Sequence, residues 1–137
     1  MASSRFQGDE VTTVNHLKDR VKEFISDRDW GQFHDPKNVS MALASEVGEL
    51  LDLFRWVRSE DSFQVLEDDE TRDAVRMEIA DIAMFLVDFA SICNIDLTTA
   101  IDEKMQINAS RYPVEQAKGV SKKYTELGKV TKDPQSL

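Results

Sequence analysis

Four acidic side chains, set in two pairs of similar spacing, are the residues of this sequence best placed to do chemistry. Glu46 and Glu49 lie in LASEVGELLDLFRW (43–56), and Glu78 and Asp81 lie in MEIADIAMF (77–85). Read as a helix at about 100° per residue, Leu43, Val47, Leu50, Leu51 and Phe54 make one apolar stripe. Glu46 falls inside that stripe and Glu49 at its edge. The second pair repeats the layout: Glu78 falls among Val75, Ile82, Phe85 and Phe89, with Asp81 at the border. A carboxylate in an apolar stripe must be paired, hydrogen-bonded or bound to a metal. An E-x-x-E on a helix is ordinarily a solvated face, but two such pairs, each with its first acid in a core position, point to a shared site. If the two helices pack antiparallel, the four acids converge. No Lys or Arg interrupts either stripe to neutralise them. Oxygen-only ligands suit hard cations, chiefly Mg²⁺ or Mn²⁺, and so point to phosphate-ester or phosphoanhydride chemistry. A di-iron bundle would use Glu-x-x-His pairs, and neither His16 nor His34 stands in one.

The elements that must position these acids are helical. Period-2 alternation is absent, and apolar residues recur at three and four. A first helix is expected over residues 11–29, with Val14, Leu17, Val21, Phe24 and Ile25 as its stripe and Asp9 or Thr12 as cap. DWGQFHDPKN (29–38) follows as a loop carrying Trp30, Phe33 and His34. The second helix is expected from Asn38 or Ser40 to about Val57, then a soft acidic loop, RSEDSFQVLEDDE (58–70). A third runs over 71–93, with Asn94 as its stop. A fourth, capped by Asp96, runs over 97–110 and ends before Pro113. Residues 112–137 read as an irregular tail of one domain spanning 1–137. The fold class is all-α: an antiparallel four-helix bundle protomer. Between Ile79 and Ile92 the third helix is apolar nearly all round, which predicts burial against another subunit and hence an oligomer.

Composition narrows the functions. The chain has 137 residues, 41% hydrophobic and 31% charged, which reads as a soluble globular domain. A net charge of −9 argues against a protein that grips a nucleic-acid polymer. The one cysteine, Cys93, excludes an internal disulfide and reads as a small core residue. No apolar run is long enough to span a membrane, and MASSRFQGDE lacks the apolar core of a secretory signal, so a cytoplasmic location is expected.

The residues also resemble a known family. E-x-x-E, 28 intervening residues, then E-x-x-D is similar to the metal motif of the MazG-like all-α nucleoside triphosphate pyrophosphohydrolases. RDWGQFHDPKN, EVGELLDLFRW, KMQINASRYPV and KYTEL resemble the dCTP pyrophosphatase branch, so the similarity runs over residues 14–127. The resemblance implies Mg²⁺-dependent cleavage of a (deoxy)nucleoside triphosphate, dCTP or a related or modified dNTP, to monophosphate and pyrophosphate. It implies a homotetramer built from tight dimers and a role in cleaning the nucleotide pool. Glu46, Glu49, Glu78 and Asp81 match the metal ligands and catalytic acids. Trp30, His34 and Trp56 match residues around the base and sugar, and Phe85 stands where the family often has a tyrosine. Lys104 and Asn108 match polar groups that reach the nucleotide from the last helix. Val21 stands where a histidine is common, so two polar groups are missing and a broader base preference is expected. Glu49, at the edge of its stripe, is the carboxylate assigned to take the proton as water attacks the α-phosphorus. Two rivals are a non-catalytic nucleotide- or partner-binding bundle and a hydrolase of a phosphoribosyl nucleotide; the paired tryptophans favour a free nucleoside triphosphate over the latter.

Overall fold

The computed structural model describes residues 6–127. Among them every regular element is helical. The principal helices are α1 (Val14–Ser26), α2 (Pro36–Phe54), α3 (Asp69–Ile92) and α4 (Leu97–Arg111), followed by a single turn, α5 (Val114–Ala117). The chain divides into two compact units, Met1–Leu97 and Thr98–Leu137.

In the first unit, α2 and α3 form the main pairing and α1 packs on α3. The pairing is antiparallel. His34, just before α2, meets Asp88 late in α3, whereas Glu46 and Glu49, further along α2, meet Glu78, earlier in α3.

Caps move several expected boundaries. α1 starts at Val14, because Gly8, with φ 95°, turns the chain so that Val11 N and Thr12 N donate to its carbonyl. Thr13, not Asp9 or Thr12, then caps the helix, accepting from His16 N at 3.1 Å. α2 starts two residues earlier than the first expected position: Asp35 accepts from Asn38 N at 2.9 Å, and Pro36 fits the first turn, where no intrahelical N–H bond is lost. It ends at Phe54 rather than near Val57. Asp68 caps α3 by accepting from Thr71 N at 2.8 Å, and Asp69 and Glu70 complement the helix dipole. The stop at Asn94 is a Schellman turn. Asn94 takes φ 51°, Ile95 N donates to Ala90 O at 2.8 Å and Asn94 N to Ser91 O at 3.1 Å.

Two segments are more ordered than expected. The acidic loop between α2 and α3 forms 3₁₀ turns at Ser59–Asp61 and Gln64–Glu67. In the tail, Pro113 leads into α5, and Tyr112 meets Tyr124 edge-to-face at 5.9 Å, with the Arg111 guanidinium over the Tyr124 ring at 5.1 Å. Residues 128–137 of the tail lie outside the described residues.

Among the described residues the buried apolar side chains are Ile25, Val39, Val87 and Ala90. Much of the predicted apolar surface is open in the protomer: Leu51 is 65% exposed and Ile79 53%. Cys93 is half-buried rather than a core residue.

Candidate active site

The E-x-x-E of α2 and the E-x-x-D of α3 face each other because residues three apart share a helix face and the helices run antiparallel. One carboxylate oxygen from each of Glu46, Glu49 and Glu78 lies within 4.8 Å of the others. Glu46 and Glu78 are half-buried, while Glu49 is exposed. Glu78 Oε2 is buried with no hydrogen-bond partner. Asp81 stands outside this triad, yet its charge acts on Glu46. Burial, then repulsion from Glu49, Asp81 and Glu78, holds the Glu46 carboxyl above its ordinary 4.5. The recorded ion pairs of the described residues, such as Arg76–Asp73 and Arg55–Asp52, involve none of the four acids. An orphaned buried oxygen amid unneutralised carboxylates is the donor set of a hard divalent cation. The residues fit such an ion.

One helical turn away lies a cavity of about 360 Å³ lined by Phe33, His34, Asn38, Val39, Ala42 and Phe85. Ala42 precedes Glu46 by four residues on α2, and Phe85 follows Asp81 by four on α3. The cavity therefore sits along the same seam as the acids. His34 is fixed there by Asp88, with 2.7 Å between His34 Nδ1 and Asp88 Oδ2. Asp88 is 5% exposed.

His34 and Phe85 thus share one cavity. Trp30 is not part of that lining: it is 44% exposed and rests edge-to-face on Phe24 at 5.9 Å. Trp56, just past the end of α2, is 90% exposed. Lys104 and Asn108 lie on α4 in the second unit, both exposed. Phe33 was noted in its loop but given no site role, and Asn38 and Ala42 were not assigned to a site by sequence reasoning. The signal for the last two was the run Asn38, Ala42, Glu46 at steps of four. Asp88, one heptad past Asp81 on α3, is the partner of His34.

Fold and site together define an all-α protein with a carboxylate cluster where α2 and α3 meet and an open cavity beside it. The MazG-like family matches residues 41–127. The chain is 38% identical over 134 residues to human dCTP pyrophosphatase 1, covering 96% of this chain and 79% of that protein. It is 36% identical over 130 residues to dCTP pyrophosphatase 1 of Rattus norvegicus, covering 95% and 76%. The crystal structure of a pyrophosphatase from Archaeoglobus fulgidus superposes with a TM-score of 0.69 at 32% identity, covering 81% of this chain and 99% of that one. The chain belongs to the MazG-like family.

Proposed function

We propose that this chain hydrolyses deoxynucleoside triphosphates, dCTP and related or modified dNTPs foremost, to monophosphate and pyrophosphate, and so clears the cytoplasmic nucleotide pool. The observation that carries this reading is the buried, unpaired Glu78 Oε2 beside two glutamates of the facing helix, one turn from a cavity of ligand size. The names of the curated relatives supply the substrate class.

Glu46, Glu49, Glu78 and Asp81 would hold Mg²⁺, with Mn²⁺ as a substitute. Such an ion supplies charge neutralisation on phosphate oxygens and acidifies water. Glu49, the exposed member of the triad, is the carboxylate free to take the proton. Phe33 and Phe85 wall the base, and His34 and Asn38 offer its edge polar atoms. Lys104 and Asn108 are assigned to phosphate and base contacts, and Trp30 and Trp56 to base walls that a second copy completes.

Incubation with each dNTP and Mg²⁺, followed by anion-exchange separation, should yield monophosphate and pyrophosphate, and chelation should stop the reaction. Orthophosphate as the first product would overturn attack at the α-phosphorus. In the same assay dCTP should lead in kcat/KM, but by less than about a thousandfold. Val21 and Phe85 bring no polar group that a wrong base would leave unpaired.

The working unit in this proposal is a homo-oligomer, a tetramer in the family's pattern. The support is in the first unit, where apolar side chains of the paired helices such as Leu51 and Ile79 are exposed and a second copy would cover them. Sedimentation equilibrium should give the tetramer mass at micromolar concentration; a monomer there would sink the assignment.

A further inference from the structure

A buried aspartate late in α3, between the buried Val87 and Ala90, needs a reason, since it is a poor helix former and costly to desolvate. Asp88 has one partner of note, the Nδ1 of His34, 54 residues away in sequence. His34 lies between two cavities. One, lined also by Lys22, Ile25, Ser91 and Ile92, contains Asp88; the other is the cavity beside the acids, which Asp88 does not line. An ionised carboxylate only accepts hydrogen bonds, so Nδ1 carries the hydrogen. In the neutral ring the lone pair is then on Nε2, the one ring nitrogen left for a ligand. Asn38, the other polar side chain of the cavity, is constrained in the same sense. Its Nδ2 donates to Phe33 O at 3.1 Å and to Asp35 Oδ2 at 3.0 Å, leaving Oδ1, an acceptor, as its remaining polar atom. The rest of the lining is apolar.

We infer that Asp88 is a positioning residue for base recognition: it holds His34 in the tautomer whose Nε2 accepts, so the cavity selects bases with an exocyclic amino group over their keto counterparts. This rests on the hydrolase reading above. Cytosine and uracil nucleotides separate the two cases, since they share sugar, triphosphate and ring and differ at C4 and N3. An amino group at C4 donates to Nε2. A keto oxygen there sets acceptor against acceptor and leaves both without a partner.

Two measurements test the inference. The chain has two histidines, so ¹⁵N-histidine labelling with His16→Gln as the assignment control reads the His34 tautomer by NMR without any turnover. The expected result is hydrogen on Nδ1 in the wild type. In Asp88→Asn, which keeps the buried volume, the amide can donate to Nδ1 and move the hydrogen to Nε2. The second measurement is kcat/KM for dCTP over dUTP, which should fall about tenfold in Asp88→Asn and in Asp88→Ala. A wild-type His34 with hydrogen on Nε2 overturns the inference, as does a ratio unchanged in both variants while the wild type is active. A wild type that cleaves neither nucleotide overturns the hydrolase reading instead.

Discussion

Glu78→Gln is expected to lower kcat/KM for every dNTP by about a thousandfold or more at saturating Mg²⁺. The substitution keeps the volume of the side chain and removes one charge. It also replaces one carboxylate oxygen by an amide nitrogen, which donates hydrogen bonds and does not bind a hard cation. Either orientation of the amide harms the site: a nitrogen at the Oε2 position is aimed at the cation, and the remaining oxygen is a weaker, uncharged ligand. The fold should not suffer. Glu78 Oε2 is buried without a partner, and the substitution removes one charge from a cluster of carboxylates that repel one another. Activity and stability therefore move in opposite directions, which separates this role from a merely structural acid. Asp52→Asn is the control, since Asp52 is paired with Arg55 on the exposed face of the same α2 and should change turnover little. Steady-state kinetics with a parallel Mg²⁺ titration by calorimetry decides the matter. Turnover within tenfold of wild type would remove Glu78 from the ligand set and favour a non-catalytic bundle.

The helices and the acid pairs were legible because both are local. Glu46 and Glu78 announce themselves on a wheel, where an acid in an apolar stripe can be seen without knowing the partner helix. The start of α2 was misread because Pro36 looks like loop punctuation, whereas at the first helical position it costs no hydrogen bond and Asp35 caps it. The start of α1 was misread because Gly8 turns the chain, and a turn of that kind is decided by backbone conformation rather than by apolar period. The cavity was not legible. Phe33, Asn38, Ala42 and Phe85 become neighbours only through the register of α2 against α3, and periodicity carries no information on register between helices. Asp88 shows both limits. Its heptad step from Asp81 was visible, but no spacing rule connects it with His34 across the chain. Trp30 adds a contact that spacing does not reveal, its edge-to-face packing on Phe24.

Without metal, the fold should lose stability as pH rises above the ordinary glutamate range, and Mg²⁺ should restore it. Burial, reinforced by Glu49, Asp81 and Glu78, raises the Glu46 pKa in the folded chain above its ordinary 4.5. Unfolding releases it to that ordinary value. Between 4.5 and the raised value the folded state holds a proton that the unfolded state has lost, so stability falls with rising pH across that window. Below the window both states hold the proton and the penalty is absent; above it neither does and the penalty is complete. At pH 7 the metal-free protein therefore carries a cost from its clustered charges that it does not carry at pH 4. Glu46→Gln removes that cost, and its melting temperature in chelator at pH 7 should exceed the wild-type value by about 4 °C. Other carboxylates titrate in the same range, so the quantity to read is the difference between the two melting curves as a function of pH. That difference should be near zero or in favour of wild type at pH 4 and grow in favour of the variant as pH rises. Mg²⁺ at about a hundred times its dissociation constant should then raise the wild-type melting temperature by roughly 8 °C, from about 2.7 kcal/mol of linkage. The variant, short of one charged ligand, should respond far less. A difference that stays flat with pH would show that Glu46 is not held in a repulsive cluster, and an undiminished Mg²⁺ shift in the variant would show that the ion is bound elsewhere.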